Sequence, residues 1–328
     1  IPLWNPHAFC GAPFLATMQA AVLYPFNLSA IAFDNLALGA NLYRLLHLWW
    51  MGWGTCVYLR RCHAASRPIG LGCALAMACG TFTVQHLEHL NQLAAMAWFP
   101  WWMIALWLCL RAPSARVALA LGACGAMQWL AGHPQQVVFT LLLSGGYLAA
   151  GTLLGRHRRE RGFGRVWLCG AAGVALAAGL AFAQILPALE LGPRSIRVFD
   201  DWGVKPSWPP EPGAPRRYAT QYALSPKLLA LAVYPRAFAH GPCGDPALEG
   251  LAESRCYVGW LILAGAAVGA ALALRRRHRE RLFWLGAITV AVVFAMGDAT
   301  PLHYWASCAL PPLRHFRAPP RALFIAVL

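Results

Sequence analysis

The stretch Val84–Gln92, VQHLEHLNQ, places two histidines, a glutamate, an asparagine and two glutamines between long apolar runs. Neighbouring histidine and carboxylate side chains can move protons, and histidine can also donate to an anionic group. Because this segment is too short to carry His86, Glu88 and His89 far from the apolar runs, their ionisable groups lie where such groups usually mark function. Glu88 and His89 are therefore the catalytic candidates.

A second polar stretch, AGHPQQ (Ala131–Gln136), offers His133 and Gln135 beside Pro134. Together with His89 and Asn91, these side chains are interpreted as an acid–base or phosphate-binding cluster. The structural alternative is that they cap helix ends and satisfy backbone groups there. A metal site is not expected, because HLEH has a His-x-x-His spacing on a loop and not the HExxH order of a zinc helix.

The elements that must position these residues are transmembrane helices. The chain has 328 residues, of which 59% are hydrophobic and 12% charged, and its mean hydropathy is +0.50; a soluble domain carries about 25% charged residues. A helix that crosses a bilayer needs about 20 apolar residues. We predict eight such segments: 36–59, 69–85, 92–110, 117–131, 136–154, 166–189, 257–274 and 282–297.

The loops between these segments are of two alternating kinds. The arginine-rich loops are Arg60–Arg67, Arg111–Arg116, Arg156–Arg165 and Arg275–Arg281. The positive-inside rule places them in the cytoplasm, so both polar stretches face the periplasm or the cell exterior. The net charge of +15 then reflects topology, and nucleic-acid binding, the usual alternative for a basic protein, is not expected.

This topology predicts an all-α polytopic membrane protein with four regions. They are a first outer loop with an interfacial helix (1–35), a transmembrane bundle (36–190), an outer segment (191–256) and truncated C-terminal transmembrane helices (257–328). The interfacial part is Gln19–Phe33, which Pro25 interrupts. In the outer segment, Cys243 and Cys256 can pair if the compartment is oxidising.

Three arginines, Arg314, Arg317 and Arg321, lie in LRHFRAPPR on the last outer loop. Arginines on the outer side run against the positive-inside bias, so topology does not explain them. The favoured interpretation is that they bind a lipid phosphate. The alternative is that they form ordinary salt bridges with the outer segment.

Motifs along essentially the whole chain resemble the bacterial YfhO family of membrane proteins. They lie in Pro2–Leu28, Glu88–Trp101, Trp129–Leu142, Gln184–Arg197, Tyr222–Pro235, Cys256–Leu261 and Gly297–Phe324. That family resembles the GT-C class of integral-membrane glycosyltransferases, which implies a GT-C-like transmembrane helix bundle with outer-face loops and interfacial helices. Such enzymes move a sugar from a polyprenyl-phosphate carrier to an acceptor on the outer face.

The resemblance also implies a set of substrate-binding residues, to which we add Arg314. The set is Trp4, Asn5, Gln19, Asn91, His133, Gln135, Glu190, Arg197, Arg317 and Arg321. In the expected mechanism, Arg317, Arg321 and His89 stabilise the departing phosphate. GT-C enzymes usually carry a catalytic Asp upstream of the position where this chain begins, so we expect a fragment that is inactive alone, with Glu88 as the alternative general base.

We therefore expect a multi-pass glycosyltransferase of the bacterial inner (cytoplasmic) membrane, with its active face periplasmic or extracellular. Its partners would be the bilayer, a polyprenyl-phosphate-linked sugar and a cell-envelope glycan; no covalently bound cofactor and no divalent metal are expected. One alternative is a lipid-linked-sugar flippase or another polytopic membrane transporter without glycosyl transfer. A transporter usually has charges near the bilayer midplane, whereas here they lie at one face. The other alternative is a scaffold for envelope assembly.

Overall fold

The computed structural model describes residues 3–7, 11–154, 162–192, 219–234, 236 and 253–327, with the backbone alone for Ala30, Leu154, Arg314 and Val327. In these ranges the chain is predominantly helical, so the prediction of an all-α fold is confirmed for them. Extended structure among the described residues is limited to a short antiparallel pair. Its strands are β1 (Trp4–Asn5) and β2 (Ala12–Pro13), with Trp4 opposite Pro13.

Fourteen α-helices follow in the described ranges. In the first part of the chain they are α1 (Asn27–Ile31), α2 (Leu36–Cys62), α3 (Arg67–Cys79), α4 (Thr81–Gln85), α5 (Leu90–Ala97), α6 (Phe99–Arg111), α7 (Ala115–Leu130), α8 (Pro134–Ala149), α9 (Phe163–Leu180) and α10 (Phe182–Leu191). A π-helical turn, Ala150–Leu154, extends α8. The later helices are α11 (Trp260–Arg276), α12 (Arg279–Ala295), α13 (Pro301–Ala309) and α14 (Phe324–Val327). Short 3₁₀ turns occupy Pro226–Ala232, Gly297–Ala299, Pro311–His315 and Pro319–Leu323.

Each of the eight predicted spans coincides with helix, but three of them are divided. The divisions fall at Gly80 between α3 and α4, at Trp98 between α5 and α6, and at Ala181 between α9 and α10. Four helical stretches of the described chain are long and apolar enough to cross a membrane: Arg67–Gln85, Leu90–Arg111, Pro134–Leu153 and Phe163–Leu180. Helices α7, α11 and α12 have 16 or 17 residues, and α2 is longer but includes Arg44 and His47.

Local side chains set the helix ends. The Asn35 side-chain oxygen accepts from the backbone N–H groups of Ala37 (3.0 Å) and Leu38 (3.2 Å) and so caps α2. Arg60 and Arg61 lie in the last turn of that helix, where positive charge complements the helix dipole. Capping residues and apolar composition together account for a 27-residue helix.

The chain forms two compact units. The first comprises Ile1–Ala78 and His86–Leu191, and the second comprises Cys79–Gln85 and Gly192–Leu328. In the first unit α6 is buried, with Trp102 2% exposed. Helices α7 and α9 approach closely beside it, because a Cβ at Gly125 would lie 2.6 Å from the Trp102 ring and 2.8 Å from Ala177.

The second unit is discontinuous in sequence. Thr81, at the start of α4, makes three hydrogen bonds with Tyr257: Thr81 N to Tyr257 O (3.0 Å), Thr81 Oγ1 to Tyr257 O (3.2 Å) and Tyr257 N to Thr81 Oγ1 (2.8 Å). Leu224 N also donates to Ala295 O at 2.8 Å. The α4 segment therefore belongs with the C-terminal part of the chain. The four regions drawn from the sequence follow membrane sidedness, which this division does not test.

Candidate functional site

The two polar stretches of the first unit each begin a helix in the same way. His89 is the N-cap of α5 (φ −94°, ψ 79°), and His133 is the N-cap of α8 (φ −121°, ψ 78°). In each case the third helical residue donates its backbone N–H to the histidine carbonyl, at 3.0 Å for Gln92 and 3.1 Å for Gln136. We call these two first turns the paired helix starts.

Neither histidine side chain caps its helix. Capping by the side chain, one part of the structural alternative, therefore does not explain the two histidines. For Asn91 the alternative is observed, because its Oδ1 accepts from the backbone N–H of Gln92 at 2.9 Å. The helix starts also bring the positive ends of two helix dipoles to this part of the unit.

A contact between two loops joins the paired helix starts. The Asn91 side-chain amide donates to the carbonyl of Gly132 at 3.4 Å, immediately before His133, and α5 packs against α8. Gly132 has φ +82°, and a Cβ there would overlap the carbonyl oxygen of Met18. The loop that carries Gln19 thus lies against the turn before α8, although the Gln19 side chain itself is exposed. The Asn91 contact adjoins His133 and Gln135, the second residue of α8.

The catalytic candidates lie at the exposed edge of this site. The Glu88 carboxylate is 3.8 Å from Nδ1 of His89, and the two side chains are 74% and 44% exposed. A pair this accessible contributes little to stability. It can exchange a proton with a molecule arriving from solvent.

Arg44 holds the segment that leads into α5. Its Nε donates to the carbonyl of Leu87 at 2.9 Å, and its Nη1 donates to Asn41 Oδ1 at 2.9 Å. The side chain extends from α2 towards the polar loop, as a snorkelling arginine does. Its hydrogen bonds fix the backbone beside Glu88.

A hydrogen-bonded aromatic network lies close to the paired helix starts, because Tyr24 and Tyr43 belong to one buried cluster with Ala94, Ala95 and Ala131. Trp98 Nε1 donates to the Tyr24 hydroxyl (2.9 Å), which is 2.7 Å from His47 Nε2. Nδ1 of His47 is 2.7 Å from the Tyr43 carbonyl. Because a carbonyl can only accept, Nδ1 carries a proton, and in the neutral ring Nε2 accepts from Tyr24. Burial raises the pKa of the Tyr24 hydroxyl.

A small cavity borders this network. Its volume is about 50 Å³, and it is lined by Tyr24, Phe26, Leu46, His47, Trp49, Trp50 and Trp98. No lysine, arginine or carboxylate borders it. This aromatic cavity therefore lacks the charged donors that a phosphate needs.

Three predicted binding residues of the first unit lie on other elements. Trp4 and Asn5 form β1, where the Asn5 side chain accepts from His7 N at 3.0 Å and Trp4 is 57% exposed. Glu190 is exposed near the end of α10. Arg197 lies outside the described residues, as does Cys243.

In the second unit, Arg321 forms a salt bridge. Its Nε donates to Glu253 Oε2 (3.1 Å) and its Nη2 to Oε1 (2.6 Å), and the side chains are 11% and 12% exposed. This contact is the alternative that the sequence left open for Arg321. The phosphate-binding role of Arg321 stays a prediction, and it requires the guanidinium to exchange partners.

The other two arginines of that motif differ in environment. Arg317 is exposed, with its guanidinium carbon 5.9 Å from the centre of the Tyr222 ring. The backbone of Arg314 belongs to the turn Pro311–His315, and its side chain lies outside the described atoms. Of the three arginines in this motif, Arg317 is therefore the one for which the structure describes an exposed guanidinium.

Sequence reasoning did not single out Gln92, Gln128 and Gln136. All three are buried in the first unit, at 0%, 1% and 0% exposure. One feature of the sequence could have located Gln136: Pro134 follows His133, and proline favours the first position of a helix. A helix starting there turns the glutamine at the third position away from the loop.

Among the described residues, no group of three or more His, Cys, Asp or Glu side chains is arranged to hold a metal ion. Comparison of the chain with protein-family models, with curated proteins and with solved structures finds no match in any of the three. The YfhO and GT-C resemblance therefore stays a prediction based on the quoted motifs.

Proposed function

We propose that this protein is a membrane glycosyltransferase that moves a sugar from a polyprenyl-phosphate carrier to a cell-envelope glycan on the outer face. The carrying observation is the convergence of the Gln19 loop, Asn91, His133 and Gln135 at the starts of two helices in an apolar helical unit. Four helical stretches with the length and composition of membrane spans support the membrane setting.

The polar chemistry of this site suits a substrate with a phosphate and hydroxyl groups. Helix N-termini favour anions, and asparagine and glutamine side chains both donate and accept hydrogen bonds. The surrounding helices are apolar, as a substrate with a long hydrocarbon chain requires. The exposed Glu88–His89 pair supplies a carboxylate and an imidazole at the same place.

The proposed reaction is a direct displacement at the anomeric carbon of the donor sugar. The acceptor hydroxyl oxygen forms the new bond to that carbon while its proton passes to a carboxylate. In this chain that carboxylate is Glu88, the alternative to the upstream Asp that the resemblance implies. The bond between the anomeric carbon and the phosphate oxygen breaks, and its electron pair stays on the phosphate. Protonated His89 and the helix starts stabilise that growing negative charge.

The test uses the full-length protein purified in detergent, with a radiolabelled polyprenyl-phosphate sugar and a crude envelope-glycan acceptor. We expect label in the glycan, and we expect Glu88→Gln to lower turnover by about 10²- to 10⁴-fold. Asp34→Asn is the matched control, because Asp34 is another exposed carboxylate of the same unit and has no role in this mechanism. It should keep the parent rate.

Three results would contradict the proposal in different ways. Tight donor binding without transfer would favour the lipid-linked-sugar flippase. Absence of both binding and transfer would leave the envelope scaffold. If Glu88→Gln and Asp34→Asn reduce transfer equally, negative charge in general matters and Glu88 is not the general base.

A further inference from the structure

Four buried glutamines of the first unit have side-chain atoms without a hydrogen-bond partner among the described residues. These atoms are Nε2 and Oε1 of Gln92, Nε2 and Oε1 of Gln136, Oε1 of Gln128 and Oε1 of Gln184. We call Gln92, Gln128 and Gln136, which lie on α5, α7 and α8, the amide cluster. Buried polar groups are nearly always hydrogen-bonded, so five such atoms on these three side chains need an explanation.

Gln128 contacts both helices that carry the other two glutamines. Its Nε2 donates to the Ala95 carbonyl of α5 (3.0 Å) and lies 3.5 Å from Thr140 Oγ1 of α8. It therefore sits where α5, α7 and α8 meet.

The other two glutamines lie next to that point. Gln92 precedes Ala95 by three residues and Gln136 precedes Thr140 by four, so each lies on the same helix face one turn nearer the helix start. Helical side chains also tilt towards the N-terminus. Both carboxamides are thus directed to the region between the paired helix starts.

The unpartnered atoms limit the class of ligand. They comprise two NH₂ groups, which donate, and three carbonyl oxygens, which accept. A phosphate or carboxylate would satisfy the donors and leave the oxygens unpaired, and a cation would do the reverse. A hydroxyl group donates and accepts at once, so a neutral ligand with several hydroxyls satisfies both kinds of atom.

We infer that the amide cluster binds the hydroxyl groups of the donor sugar. The sugar carries no charged group at the positions that the amide cluster contacts. The inference rests on the proposed function and adds a residue assignment for sugar recognition. Gln92 and Gln136 are third in their helices, so they lie about 4.5 Å from the helix starts. Both side chains are 0% exposed, so the paired helix starts must open for sugar hydroxyls to reach them.

The test replaces Gln92 or Gln136 by Met, which keeps the side-chain length and removes the donor and acceptor atoms. Because the unpartnered amides are costly to bury, both variants should fold at least as stably as the parent. The matched control is Gln184→Met, a glutamine 1% exposed whose Nε2 donates to Trp129 O (3.2 Å) and Leu130 O (3.4 Å) at the end of α7. Its Oε1 also lacks a partner, so this control has a buried unpartnered acceptor and no unpartnered donor.

Two probes separate sugar recognition from lipid recognition: a short-chain polyprenyl phosphate, and the same lipid carrying glucose, galactose, mannose or N-acetylglucosamine. We expect Gln92→Met and Gln136→Met to weaken binding of the sugar-bearing lipid that the parent prefers by about 10- to 100-fold. Affinity for the sugar-free lipid should stay unchanged. Gln184→Met should leave the preference for sugar unchanged.

A second measurement uses the parent protein alone, so it does not depend on how the variants fold. Removing one hydroxyl at a time from the preferred sugar should weaken binding about tenfold or more at the positions that the amide cluster reads. Deoxy-sugars that bind as well as the parent sugar would overturn the inference.

The remaining outcomes are distinguishable. If the Met variants bind both lipids as the parent does, buried water occupies the amide cluster and the inference is wrong. If they lose both lipids equally, the cluster supports the lipid phosphate or the fold and the inference is wrong. If the parent transfers sugar normally in either case, the proposed function survives; a parent that binds neither lipid overturns both.

Discussion

Replacing Gly132 by Ala should destabilise the first unit. The backbone conformation at this position favours glycine, and the surrounding atoms leave no room for a Cβ. Gly132 has a φ of +82°, and the added Cβ would overlap the carbonyl oxygen of Met18. An L-residue in the left-handed region costs about 1–2 kcal/mol. The loop that contains Met18 must then move away from the turn before α8.

That movement adds a second term. It disturbs the Gly132 carbonyl, which accepts the 3.4 Å hydrogen bond from Asn91, and a hydrogen bond contributes about 0.5–1.5 kcal/mol. The combined loss of unfolding free energy is about 1.5–3.5 kcal/mol. For a unit of this size that corresponds to a fall in apparent melting temperature of about 3–14 °C.

The assay is thermal unfolding in detergent, followed by circular dichroism at a fixed scan rate. Gly145→Ala is the matched control, because a Cβ at that position in α8 meets nothing within 4 Å. Alanine is the better helix former, so the control should melt at or slightly above the parent temperature. Equal melting temperatures for the two variants would refute the reasoning about Gly132.

Three further predictions concern buried groups. Tyr24→Phe should lower the unfolding free energy by about 1–3 kcal/mol, because it leaves two buried hydrogen-bond partners unpaired; Tyr234→Phe, at an exposed position, should have no effect in the same unfolding assay. Glu253→Gln should cost about 3 kcal/mol by leaving the Arg321 guanidinium uncompensated, and Glu253→Leu with Arg321→Met should recover most of that stability in denaturant titrations. Burial raises the pKa of the Cys256 thiol to about 11, so its alkylation at pH 8, measured by mass spectrometry, should be about 100-fold slower than for an exposed thiol and should rise with pH.

The positions of the long helices could be predicted from the sequence, because apolar runs of about 20 residues leave few other options. The divisions at Gly80, Trp98 and Ala181 could not. Hydropathy averaged over a window has the same value whether the apolar residues form one helix or two consecutive short helices, so it does not reveal a division. The divisions depend on backbone conformation and tertiary packing, which a single sequence does not display.

The candidate site was predictable to the level of residue types. The two histidines were identified from their polar neighbours, but their shared position as N-caps appeared only with the helix starts. Gln92 and Gln136 stood at the first positions of the predicted spans 92–110 and 136–154, whereas the helices begin two residues earlier, at Leu90 and Pro134. An error of this size is usual for helix boundaries, and it hid their place at the third helical position. The partner of Arg321 is 68 residues away, so no local pattern could indicate the salt bridge with Glu253.

The pairing of Thr81 with Tyr257 has a consequence for biosynthesis. The two residues are 176 positions apart, and at roughly 5–20 residues per second a ribosome needs about 10–35 s to make the chain between them. Throughout that interval the Thr81 hydroxyl and the start of α4 lack their final partner, although the helices on both sides of them have already been synthesised. The nascent chain must therefore keep the start of α4 without its final hydrogen-bond partner until Tyr257 has been synthesised.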